Sequence, residues 1–287
     1  IRVTNSSNRD HINDIFSELD GFFPNYFGVQ RFGAVRFITH IVGEKIVQGN
    51  YEGAVLDYLT LGSPNYAGHE GREYLLETKD FTKSLEKFPS HMLFERQLLG
   101  HLSRNKGDYT GAILQLPESL SKMLVHGYQS LIFNKVLDMR IKEGMDACLP
   151  QIGDYIMPAD GYGGPDQRVT IEVTERNQSK LSKRCREGKA WVAGLLPGAN
   201  SKFSKGRQGE LEKEVMDDFG VKFGDFIIDD IHELSSYGMY RPLFQKYNDI
   251  EVDYNSEDPI FSFWLHKGTY ATSFLREIMK SSDVTVY

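Results

Sequence analysis

The sequence is poor in cysteine, with only Cys148 and Cys185 in 287 residues. Two isolated thiols without metal-ligand spacing exclude a disulfide framework, call for no metal, and fit a reducing, cytoplasmic setting. Long apolar runs are missing too: no stretch of about 18 apolar residues occurs, so nothing reads as a membrane span. Nucleotide-cradling loops are also absent. The run Gly161-Tyr162-Gly163-Gly164-Pro165 has neither GxGxxG nor GxxxxGK[ST] spacing and predicts a turn, so no cofactor is implied. Positive charge is in the minority, 33 Lys and Arg against 40 Asp and Glu, for a formal charge of −7. That balance counts against a molecule covered in basic surface. What remains, 40% hydrophobic and 25% charged residues, is the composition of a globular chain long enough for two domains.

The distribution of charge says more than its sum. From Arg176 to Arg207 there are nine basic residues against the single acid Glu187, whereas from Glu210 to Asp258 fourteen acidic residues face four basic ones. Such asymmetry predicts a local positive patch able to meet a polyanion, or else two oppositely charged solvated faces.

Hydrophobic periodicity predicts helices through the first half. Ile12, Ile15, Phe16 and Leu19 mark one between Asn8 and Asp20; Val35, Ile38, Ile41, Val42 and Ile46 a second; Tyr51 to Leu61 a third. Gly71 to Arg104 reads as two or three more, with Lys79 and Asp80 as exposed helix residues. Leu116 to about Lys142 is the longest pattern, apolar over a wide arc, as expected of a central helix. Beyond Gly144, short alternating runs predict strands at Asp154 to Met157, Val169 to Val173 and Trp191 to Leu195. A basic helix follows from Ser179 to Gly188 and an acidic one from Gln208 to Phe219. Near the end, Ile250 to Tyr254 and Ile260 to His266 alternate as strands, and Thr269 is placed to cap a last helix whose first turn, Tyr270 to Ser273, offers free N–H groups.

One stretch fits neither periodicity. Asn25 to Gly33, NYFGVQRFG, sets two glycines among aromatics, an amide and a guanidinium, and predicts a shaped loop. Tyr26, Phe27 and Phe32 can fill a core; equally, Phe27 can offer a flat stacking surface beside the hydrogen-bonding groups of Asn25, Gln30 and Arg31. These nine residues resemble the signature of the TruD-type tRNA pseudouridine synthases. Three further regions, in the right order, resemble that family too: His126 to Ile141 (HGYQSLIFNKVLDMRI), Phe203 to Glu212 (FSKGRQGELE) leading into Leu234 to Leu243 (LSSYGMYRPL), and Thr269 to Lys280 (TYATSFLREIMK).

The resemblance implies an α+β fold in which a catalytic domain on a mixed sheet is interrupted by an inserted α/β domain. Mapped here, residues 1–50 and 244–287 are catalytic and 51–243 are the insertion. It implies isomerisation of a tRNA uridine, at position thirteen of the D-arm, by a monomer without cofactor. It also implies that NYFGVQRFG and TYATSFLREIMK share one site, in which Phe27 is the base platform, Asn25 supports the loop of the nucleophilic Asp, and Arg276 or Glu277 orients that Asp. Gln30, Arg31, His126, Gln129 and Thr272 become RNA contacts, and the basic run adds Lys183, Arg184, Arg186, Lys202, Lys205 and Arg207. Asn134 and Arg140 read as satisfied structural residues. The family's nucleophile lies in a GxKDxxAxTxQ-like segment upstream of NYFG, and no such segment occurs in Ile1 to Pro24. The expectation is a synthase lacking its N-terminal portion, and Lys79-Asp80, without the flanking pattern, is not a substitute. The alternatives are an RNA-binding protein without catalysis on the same scaffold, and an unrelated α/β enzyme.

Overall fold

The computed structural model describes residues 1–4, 11–146, 149–255 and 258–280. In chain order its elements are Ile12–Leu19 (α1), Phe22–Pro24 (β1), Val29–Phe32 (α2), Thr39–Val47 (α3), Tyr51–Thr60 (α4), His69–Thr78 (α5), Phe81–Lys87 (α6), Leu93–Arg104 (α7), Tyr109–Ile113 (α8) and Glu118–Lys142 (α9). Then follow Tyr155–Pro158 (β2), Ile171–Glu172 (β3), Gln178–Arg186 (α10), Ala190–Leu196 (β4), Gly206–Asp218 (α11) and two 3-10 turns, Phe223–Phe226 and Asp229–Leu234. The chain continues through Met239–Pro242 (β5), Phe244–Lys246 (β6), Asn248–Asp253 (β7), Ile260–Trp264 (β8) and Ala271–Met279 (α12). The fold is α+β.

The spine is α9. Along most of its 25 residues it packs on α3, α11 and the second 3-10 turn, burying Leu124, Val125, Tyr128, Ile132 and Val136 in a helical core, while Phe133 and Leu137 pack against the sheet. A helix buried on several sides needs no single apolar face, as its sequence foreshadows. Arg140, 0% exposed, forms a bidentate pair with Asp154 (3.1 and 2.9 Å) and donates to Gln208 Oε1 (2.8 Å), joining α9 to the chain before β2 and to α11. A buried charge is tolerated only when paired in this way.

The four-stranded antiparallel sheet runs β3-β2-β4-β5. Its inner strand β4, Ala190 to Leu196, is buried at every position. At Gly194 a Cβ would lie 2.4 Å from Leu243 Cδ2 and 2.7 Å from Phe133 Cε2, so only glycine lets α9 come this close. The chain ends meet: β1 pairs with β6, β7 pairs with β8, Arg2 bridges Ile260, and α1, α12 and these strands enclose a third core of Phe23, Tyr247, Phe261 and Phe274. Among the described residues these end strands form two separate antiparallel pairs, not the expected mixed sheet.

Local differences from expectation have physical causes. The opening loop contains a helical turn, α2, and α3 starts at Thr39 instead of near Val35, because Gly33 sits at φ +105° and Val35 faces solvent. Lys79 and Asp80 are not within a helix: Lys79 ends α5 at φ +54°, and Asp80 Oδ1 caps α6 by accepting from the Lys83 N–H (3.0 Å). Thr269 caps nothing. The preceding turn through Gly268 buries its Oγ1 without a partner, and α12 begins after Tyr270. Strands β1, β5 and β6 escape periodicity analysis because they are three or four residues long, and β1 and β5 end in prolines that read as breakers. Cys185 is buried and its thiol is pushed up to about 12 by burial; Cys148 lies outside the described residues.

Candidate functional site

The loop Asn25 to Gly33 is held from three sides. Asn25, 1% exposed, donates from its backbone N–H to Leu243 O (2.9 Å) and from Nδ2 to Pro242 O (2.8 Å), tying the loop to the end of β5. Asn134 of α9 clamps the next peptides, accepting from Phe27 N (2.8 Å) and donating to Phe27 O (3.0 Å). From α12, Ser273 Oγ donates to Tyr26 O (2.9 Å) and Thr272 Oγ1 donates to Gln30 Oε1 (3.1 Å). At Gly28 a Cβ would lie 2.6 Å from Thr272 Oγ1, so glycine is what allows loop and helix to touch. The first and last signature segments are thus in contact, although 242 residues separate Gln30 from Thr272.

Arg241 of β5 completes the arrangement. It is 8% exposed; Nη2 donates to Asn25 Oδ1 (2.6 Å) and Asn25 O (3.2 Å), Nε to Asn25 O (3.3 Å) and Nη1 to Gly268 O (2.7 Å). Its guanidinium carbon stands 4.1 Å from the Phe27 ring centroid, within cation–π range. Every hydrogen-bond acceptor is neutral, and burial pushes its pKa down to about 10, an effect that Tyr270 opposes and the charge of Arg31 adds to. Phe27 itself is 7% exposed and meets Phe133 and Tyr270 edge-on at 5.5 and 5.8 Å.

The Phe27 ring borders two cavities. One, of about 220 Å³, is mostly apolar and lies among Tyr26, Phe32, Phe37, Leu131 and α12, with Arg276 contributing to its lining. The other, of about 300 Å³, lies between α9 and β5 and is lined by Arg31, His126, Gln129, Tyr237 and Arg241. Among the described residues no acidic side chain lines this second cleft. Arg31 stands 5.2 Å from the Phe27 centroid, and its Nε is buried without a partner. His126 has its pKa lowered, first by desolvation and then by the positive charges of Arg31 and Lys122.

Of the residues singled out in the sequence, Phe27, Arg31, His126 and Gln129 therefore meet at one cleft, while Thr272 and Arg276 fall on the neighbouring cavity. Gln129 is already occupied, donating to Pro197 O (2.5 Å) and Ser236 Oγ (2.7 Å). Asn134 is satisfied within the fold, and Arg140 is ion-paired there although its Nε is buried without an acceptor. The basic run divides. Arg184, Arg186 and Lys202 have no ion-pair partner among the described residues, whereas Lys205 pairs with Glu172, Lys183 lies 4.0 Å from Glu187, and Arg207 is engaged by both Glu143 and Glu210. Arg241 and Tyr270 were missed as members of the site. Their only sequence signal was membership of the LSSYGMYRPL and TYATSFLREIMK segments. Among the described residues no group of three or more His, Cys, Asp or Glu side chains converges as a metal site would.

The family model for tRNA pseudouridine synthase D (TruD) matches residues 1–278. A probable tRNA pseudouridine synthase D of Methanosarcina acetivorans is 36% identical over 269 residues, covering 91% of this chain and 61% of that protein. One from Thermococcus sibiricus is 37% identical over 263 residues, covering 92% and 62%. The crystal structure of the putative tRNA pseudouridine synthase D from Methanosarcina mazei superposes with a TM-score of 0.88 at 35% identity, over 94% of this chain and 64% of that one. The chain thus spans about three fifths of the length of these relatives, 61% and 62%. With the family model matched from the first residue to 278 and the signature loop clamped between α9, β5 and α12, the chain belongs to the TruD family of tRNA pseudouridine synthases.

Proposed function

We propose that these residues form the RNA-holding part of a synthase that isomerises a tRNA uridine, at position thirteen of the D-arm, to pseudouridine. The reaction breaks the C1′–N1 bond, turns the uracil and rejoins it through C5, so the base must first leave its stack. In the cleft between α9 and β5 a flipped uracil meets a platform made of the Phe27 ring and the Arg241 guanidinium, both surfaces on which bases stack. Phe27 has no hydroxyl and takes no proton. The nucleophilic carboxylate belongs to a GxKD-like segment outside the 287 residues, with Asn25 and Arg276 supporting it. Residues 1–50 and 244–287 act as the catalytic domain around an inserted 51–243, and the unpaired cations of α10 with Lys202 track the tRNA backbone.

The observation that carries this reading is the acid-free cleft at Phe27, built from two of the signature segments and walled by a third. Two measurements test it: tRNA binding, and tritium release from tRNA labelled at uracil C5. The 287 residues are expected to bind tRNA and release no tritium. Failure to bind refutes the RNA-holding role; release by these residues alone refutes the assignment of the nucleophile.

A further inference from the structure

Among the described residues, the cleft at Phe27 is lined by positive charge and by no acidic side chain. Arg241 is buried against carbonyl and amide oxygens only, and four of its five N–H groups are spoken for, which leaves one on Nη1. Arg31 makes no ion pair or side-chain hydrogen bond among the described residues, and its Nε is buried without an acceptor. Both guanidinium groups lie against the same ring, at 4.1 and 5.2 Å from its centroid. Lys122, the next cation near His126, is by contrast paired with Glu118. Two arginines thus face one recess that no acidic side chain lines among the described residues, and for the buried one, Arg241, desolvation is costly until an anion joins it.

We propose that this recess, between Arg31 and Arg241 and open beside His126, is a binding site for one phosphodiester group, the one carried by the nucleotide whose base stacks at Phe27. The inference rests on the RNA-holding role proposed above and adds the group that is held. A phosphodiester has two oxygens that accept from paired N–H donors, which suits the unused fork of Arg31 and the remaining Nη1 proton of Arg241. A nucleotide also joins a planar base to such a group at short range, and the ring and both arginines are at short range here. The bound anion completes the charge balance of the cleft, so recognition of the base and of its backbone reinforce each other. Arg31 thereby becomes a contact for substrate, and Arg241 a positioning residue that holds Asn25 and Phe27 while lending its charge.

His126 supplies the readout. Its ring feels the charge of Arg31, so an anion seated on Arg31 raises its titration midpoint, whose present depression has Arg31 as one cause. NMR titration of His126 in the unmodified protein, with sulfate as a dianion that does not itself titrate near neutrality, is expected to show an upward shift that uridine 5′-monophosphate reproduces. In Arg31→Gln the midpoint is already higher and sulfate no longer moves it. The same variant is expected to bind tRNA roughly ten-fold more weakly, the worth of a charged hydrogen bond of about 1.5 kcal/mol or more, and to flatten the salt dependence by about one contact. Three results overturn the proposal: no response of His126 to sulfate, an equal response in Arg31→Gln, or a stronger response to acetate than to sulfate, which would make this a seat for a carboxylate. If the unmodified protein responds to sulfate yet does not bind tRNA, the phosphate site stands and the RNA-holding role falls. If it binds tRNA but ignores sulfate, only this inference falls.

Discussion

Replacing Phe27 by leucine separates what the ring does for the fold from what it does for a ligand. Leucine retains much of the volume but removes two edge-on aromatic contacts, to Phe133 at 5.5 Å and Tyr270 at 5.8 Å, and the cation–π contact with Arg241 at 4.1 Å. At about 0.5–1.5 kcal/mol for each aromatic pair and about 1 kcal/mol for the guanidinium, the loss is roughly 2–4 kcal/mol. In a protein of this size that lowers Tm by roughly 5–10 °C. Phe27→Ala adds a cavity and costs about 3–5 kcal/mol, enough to confuse folding with function. The control is Phe133→Leu: Phe133 is fully buried, shares the same edge contact and lines neither cavity, so it destabilises by a similar mechanism without touching the cleft. Thermal melts and tRNA binding are measured on both. If a base stacks on Phe27, Phe27→Leu also loses about 1–3 kcal/mol of binding, roughly ten- to hundred-fold, while Phe133→Leu keeps its affinity. Equal affinities in the two variants would mean that the ring is core alone and that the uracil lies elsewhere. Phe27→Tyr is expected to fold with a nearly unchanged Tm and to bind, since a ring bordering two cavities has room for a hydroxyl.

Other expectations follow from side chains away from Phe27. Glu212, buried and accepting from Ser204 N, Ser204 Oγ and Gln208 Nε2, has its pKa raised by burial to about 7. The folded state therefore holds this proton more tightly than the unfolded chain, so stability is highest below the unfolded pKa, near 4.5, and declines through the window up to about 7. The decline attributable to this group is about 3 kcal/mol, read from urea melts at a series of pH values, and Glu212→Gln should remove it; an unaltered pH profile in that variant would refute the assignment. Asp80→Ala should cost about 1 kcal/mol as a lost helix cap, and Asp80→Asn almost nothing, with tRNA binding unchanged in both; weakened binding would return Asp80 to the site. Lys183→Glu, Arg184→Glu and Arg186→Glu together should weaken tRNA binding and reduce its salt slope by about 0.7–0.9 per lost contact, whereas Arg207→Gln, its guanidinium already held by Glu143 and Glu210, should leave the slope alone. The reverse order of effects would move the RNA track to α11.

The long helices were legible because burial at 3.6-residue spacing leaves a periodic trace: α9 was expected from Leu116 to about Lys142 and runs from Glu118 to Lys142. The candidate site was legible only through the resemblance of its segments, and then only in part. Nothing local to NYFGVQRFG reveals that Arg241, 216 residues away from Asn25, lies over its central ring. The ion pairs of Arg207 were illegible for the same reason: the basic run is a local pattern, but Glu143 approaches from the end of α9, 64 residues earlier in the chain. The short strands β1, β5 and β6 carried no signal because their prolines and lengths mimic turns, although β5 delivers Arg241.

The three anchoring side chains of α9 point in different directions, Gln129 to Pro197 and Ser236, Asn134 to the Phe27 peptides, and Arg140 to Asp154 and Gln208. One rigid rod thus works as a camshaft whose phase is fixed by residue count. Inserting or deleting a single residue between Gln129 and Arg140 turns everything beyond it by about 100° and shifts it by about 1.5 Å, which would leave at least one anchor facing the wrong neighbour. The aim of the Phe27 ring is thus set as much by the residue count between those positions as by any contact the ring makes.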